Sequence, residues 1–67
     1  MYYGYQARLI AEYEDLRVKV EKLGHFLESE TYNTLDQDEQ TDLREQLTHM
    51  QNYLVVLTRR LARKGLI

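Results

Sequence analysis

Three tyrosines, Tyr2, Tyr3 and Tyr5, open this chain, and four cations, Arg59, Arg60, Arg63 and Lys64, gather near its end. A phenol ring is a platform on which a nucleobase stacks, at about 1–3 kcal/mol per base in single-strand binders. A guanidinium is a planar fork that grips phosphate oxygens two at a time. If the fold brings the two ends together, rings, forks and the amides of a helix start describe a pocket for a small, phosphorylated, base-containing ligand. The alternative reading is structural. Cations in a last helical turn also suit the negative end of the helix dipole, and tyrosines near a terminus can seal the end of a bundle. Lys19 and Lys22 lie further along and could serve a second pocket shared between protomers. Arg8 completes the candidate ligand contacts.

Catalytic chemistry has no such foothold. The chain carries no Gly-rich phosphate loop, no nucleophile motif and no metal-ligand cluster. His25 and His49 are single and read as histidines on helix faces. Glu14–Asp15 and Asp38–Glu39 are sequence neighbours, and on a helix neighbours point in different directions. They read as solvated charge. The expectation is a binding protein, not an enzyme, with no cofactor and no metal.

Two ladders position these groups. Leu9, Tyr13, Leu16, Val20, Leu23 and Leu27 recur at 4-3-4-3-4 spacing, and so do Leu43, Leu47, Met50, Leu54, Leu57 and Leu61. That alternation keeps one stripe of an α-helix facing a partner. The spacing predicts an all-α, antiparallel two-helix hairpin of coiled-coil type in one domain, residues 1–67. Helix one is expected over about 4–28, a connector over 29–35 and helix two over 36–64. Asp36 with Glu39 three residues later reads as a capping box, and Gly65 as the stop of helix two. Arg8–Glu12, Asp15–Lys19 and Arg17–Glu21 are expected ion pairs at i,i+4. Gly24 costs its helix up to about 1 kcal/mol relative to Ala, and marks a close approach, a bend or a tolerated weak point.

A chain of 67 residues buries little surface alone, and without cysteine it has no disulfide to help. Ile10, Val18, Phe26, Tyr53, Val55 and Val56 lie off the ladders. They predict a second buried face and hence a homo-oligomeric helical bundle. Net charge is −2, unevenly spread. Residues 28–45 hold seven acids against Arg44, a local charge of −6, and residues 57–67 hold four cations and no acid. A long polyanion would meet repulsion at the acidic tip, whereas a compact anion at the far end avoids it. Long nucleic acid is therefore not the expected partner. No apolar run is long enough to span a membrane, and MYYGYQAR is not a secretion signal. The reading is cytoplasmic.

The run YQARLIAEYEDLRVKVEKLGHFLESETYNTLDQDEQTDLREQLTHMQNYLVVLTRRLAR resembles the small phage helical-hairpin family of anti-CBASS and anti-Thoeris cyclic-nucleotide sponges, which includes hairpins of crAss-like phages. The YQ.R start, KLGHFL, TLDQDEQ and THMQ…LTRRLAR carry the likeness over nearly the whole chain. The resemblance implies a hexamer that sequesters cyclic di- and trinucleotides between protomers without cleaving them. It also implies that Tyr5 stacks on a base and Lys19 meets a phosphate, with Tyr2, Tyr3 and Lys22 as alternatives in register. Arg59 and Arg63 are the nearest fit to an arginine that serves the trinucleotide pocket. Two other readings stand beside it. One is a structural or protein-interaction hairpin with no nucleotide ligand, and the other is a small nucleic-acid-binding regulator.

Overall fold

Two long helices fold back on each other in the computed structural model, which describes residues 4–67. Helix α1 spans Gly4–Leu27, α2 is a single turn at Glu30–Asn33, and α3 spans Gln37–Arg63. No strand occurs among the described residues. The hairpin is a rod with extents of 46 × 16 × 16 Å.

The apolar ladders meet along the rod. Leu9 and Leu16 from α1 and Leu57 and Leu61 from α3 form the buried core, and Tyr13, Val20, Met50 and Leu54 pack partly buried against them. Leu57 and Leu61 are wholly enclosed. Burying one such side chain contributes about 1.5–3 kcal/mol. Leu23, Leu27, Leu43 and Leu47, in the tip half, are only half-buried. The core of a single chain thus sits toward the open end, where the termini of α1 and α3 meet.

Residues off the ladders divide into two groups. Ile10 joins the core, and Phe26 meets the Tyr32 ring edge-on, with centroids 6.3 Å apart. Val18, Tyr53, Val55 and Val56 remain exposed. Only this second group stays available for a further buried face.

Within the connector expected over 29–35, Ser29 builds a helical turn. Its hydroxyl donates to the Phe26 carbonyl at 2.6 Å as α1 ends, and accepts from the Tyr32 amide at 3.2 Å to cap α2. Tyr32 is the buried residue of the tip. Its hydroxyl donates to the Gln40 carbonyl at 3.1 Å and accepts from Arg44 at 2.7 Å. The Gln40 side-chain amide donates back to the carbonyls of Tyr32 and Leu35. The turn is therefore a small satisfied polar network, with Arg44 on a phenol as well as among acids.

Helix α3 begins as its sequence indicates, with the Asp36 carboxylate accepting from the Glu39 amide at 2.8 Å. It ends in a Schellman motif. Gly65 takes φ +69°, its amide donates to Ala62, and the Leu66 amide donates to Leu61 at 3.0 Å. Leu66 then folds onto the core beside Leu61. At Gly24 a Cβ would meet nothing within 4 Å. The close approach considered for this glycine does not occur within the chain.

Candidate functional site

Antiparallel pairing puts the first turn of α1 beside the last turns of α3. Tyr5 is half-exposed there, and the Lys64 ammonium lies over its ring, 5.3 Å from the centroid. The contact is a cation–π interaction, worth about 0.5–1 kcal/mol at an exposed site. Arg8 lies one turn along on the exposed surface. Its guanidinium reaches back toward Gly4, where a Cβ would come within 3.8 Å of it. Tyr2 and Tyr3, expected at this mouth, lie outside the described residues.

The arginines do not share one face. Arg59 and Arg63 are four residues apart and so lie one above the other on the exposed side of α3. Arg60 is half-buried and falls on the stripe of Tyr53, seven residues earlier. The Tyr53 hydroxyl donates to the Glu12 carboxylate across the hairpin. That bond is the main cause holding the phenol above its ordinary pKa; burial and the Glu12 charge add to it, and Arg60 pulls the other way. Glu12 thus meets Tyr53 rather than pairing with Arg8.

Lys19 pairs with Asp15 at 3.0 Å, as the spacing indicated, and Lys22 is exposed. Arg17 pairs with Glu14 at 3.0 Å rather than with Glu21, and Glu14 is the main cause that raises the Arg17 pKa. Exposed pairs of this kind contribute little, so a phosphate could take Lys19 from Asp15 at small cost. Tyr5 and Lys19 are a different matter. Fourteen residues of one helix rise about 21 Å. One small ligand cannot touch both within a single chain, so a pocket using both must draw them from two protomers.

A groove of about 600 Å³ runs along α3, lined by Val20, Gln51, Leu54, Val55, Thr58, Arg59 and Ala62. Arg59 is its one cation. Among the described residues no group of three or more His, Cys, Asp or Glu is placed to hold a metal, and no helix is long and apolar enough to cross a membrane.

The structure therefore brings together Tyr5 with Lys64, Arg59 with Arg63, and Arg60 with Tyr53 and Glu12. It keeps Lys19 and Lys22 apart from the mouth. The sequence reading left Lys64 out of the ligand contacts and Tyr53 out of the polar ones. The signal for Tyr53 was its seven-residue spacing from Arg60. Its partner Glu12, 41 positions away, gave none.

A family model described as Sequestin matches residues 3–63. A protein of Enterobacteria phage T4, described as an uncharacterized 7.5 kDa protein in the denB–rIIB intergenic region, is 39% identical over 59 residues. The match covers 88% of this chain and 92% of the phage protein. No solved structure matches the chain.

Proposed function

The chain belongs to the Sequestin family, the phage anti-CBASS sponge proteins, and on that premise we propose that it captures cyclic di- and trinucleotide immune signals without cleaving them. Sequestin proteins are sponge-type binding proteins and not known enzymes, and the polar groups of the mouth suit holding a ligand. The proposed place of action is the cytoplasm of an infected host cell. There, bound messenger would be withheld from the host's immune effectors.

The observation that carries the reading is the half-exposed Tyr5 ring, tethered by Lys64 at the open end of the hairpin. A tethered ring loses less freedom when a base stacks on it. In the proposed dinucleotide pocket, Tyr5 of one protomer stacks on the base and Lys19 of another meets the phosphate, with Arg8 and Lys22 at its edges. In the proposed trinucleotide pocket, Arg59 and Arg63 grip phosphate from one face of α3, with Arg60 at its margin on the neighbouring stripe of Tyr53. The dinucleotide pocket, which draws Tyr5 and Lys19 from two protomers, requires a homo-oligomer, for which a hexamer is the proposed size.

Thermal melting with a panel of cyclic di- and trinucleotides tests the proposal. A ligand bound only by the folded state raises the midpoint, and at about 100 times the dissociation constant it adds about 2.7 kcal/mol. No shift with any member of the panel would leave a structural or protein-interaction hairpin as the better reading.

A further inference from the structure

We propose that Glu12, held in place by the Tyr53 hydroxyl, is a specificity-determining residue that reads the edge of the base stacked on Tyr5, so that the chain favours bases whose edges carry amino groups over uracil. This rests on the capture reading above and deepens it by naming which bases the pocket selects.

Tyr5, Glu12 and Lys19 recur at seven-residue spacing, so one stripe of α1 carries a ring, a carboxylate and an ammonium. All three are exposed. Glu12 stands midway, about 10.5 Å along the axis from either neighbour. Two contacts tie this stripe to α3. Lys64 lies over the Tyr5 ring, and the Tyr53 hydroxyl donates to one Glu12 oxygen. Tyr53, Arg60 and Lys64, spaced seven and four apart, share one face of α3. One edge of the hairpin therefore carries a stacking ring, two cations and a carboxylate whose direction is set from the other helix. Among the described residues, no ion pair occupies the second Glu12 oxygen.

An ionised carboxylate only accepts hydrogen bonds. It suits a base edge that presents N–H donors. Guanine offers an imino and an amino group side by side, and adenine and cytosine each offer an amino group. Uracil flanks its single N–H with two carbonyl oxygens, which a carboxylate repels. Because Tyr53 already holds Glu12, little side-chain freedom is lost when a base meets it. Arg60 and Lys64, on the same edge, offset the repulsion that Glu12 exerts on a ligand's phosphates.

Titration calorimetry with two cyclic dinucleotides, one of guanine and adenine and one of uracil alone, tests this. The wild-type chain should bind the purine ligand at least about tenfold more tightly. Glu12→Gln offers uracil an amide donor and should cut the preference to within about threefold. Tyr53→Phe keeps Glu12 but releases it, and its preference should fall between the two. Both side chains are exposed, so neither substitution removes a core residue. Equal binding of the two ligands by the wild-type chain, or tighter binding of the uracil ligand, would overturn the assignment and leave capture standing. So would a preference that survives Glu12→Gln, or one that Tyr53→Phe leaves at the wild-type value. A wild-type chain that binds neither these ligands nor any other cyclic nucleotide would overturn capture and the assignment together.

Discussion

The Lys64 ammonium sits 5.3 Å from the centroid of the Tyr5 ring, tying the first turn of α1 to the cap of α3. The ring, not the hydroxyl, makes this contact. Tyr5→Phe should keep both the tether and nucleotide capture. Tyr5→Ala should lose about 1–3 kcal/mol of stacking, weakening dinucleotide binding by about one to two orders of magnitude. Titration calorimetry on the two variants checks this. Wild-type affinity in Tyr5→Ala would move the stacking platform elsewhere.

Tyr5 and Lys19 stand too far apart on α1 to serve one ligand within one chain, so the dinucleotide pocket should complement between subunits. Tyr5→Ala and Lys19→Ala should each bind poorly alone. Unfolded together and refolded as a mixture, they should regain a fraction of wild-type sites, where an intact Tyr5 meets an intact Lys19. A mixture binding no better than either parent would refute the shared pocket.

At the tip, the Tyr32 hydroxyl joins the Gln40 carbonyl to Arg44. Tyr32→Phe preserves the ring against Phe26 and removes only this link. The expected loss is about 1 kcal/mol of stability, seen as a lower urea midpoint with an unchanged slope. An unchanged midpoint would mean that the network contributes nothing.

Tyr53 carries a pH signature. Its phenol ionises above the ordinary tyrosine value because the protonated form donates to Glu12. The proton is held more tightly in the folded chain, so this stabilisation is fully present below the ordinary phenol pKa and lost as pH rises through the raised value. Glu12→Gln should lower the Tyr53 titration midpoint in an NMR-monitored titration. Arg60→Gln should raise it, because Arg60 opposes the shift. The same midpoint in all three proteins would contradict the assignment.

How much of this was legible follows from how local each cause is. The ladders, the Asp36 cap and the Gly65 stop depend on residues within a few positions of one another, and periodicity exposes them. The ion pairs were legible only in part. Lys19 took Asp15 as spacing suggested, but Arg17 took Glu14 from two acids within reach. The turn α2 was not legible, because its buried residue Tyr32 is held by Gln40 and Arg44, eight and twelve positions further on. The Tyr53–Glu12 link and the Lys64–Tyr5 contact join residues far apart in sequence across the hairpin, and their register emerges only once the helices are paired. Gly24 could be read several ways from sequence; the open space at its Cβ position removes close approach within the chain.

Capture without turnover is tested most directly by titrating a cyclic di- or trinucleotide into the purified protein, then denaturing the complex and identifying the released ligand by mass spectrometry. Saturable binding at a fixed ratio per protomer, with ligand recovered intact after long incubation, is the expected result. Recovery of linear or cleaved nucleotide, or no saturable binding of any cyclic nucleotide, would contradict it.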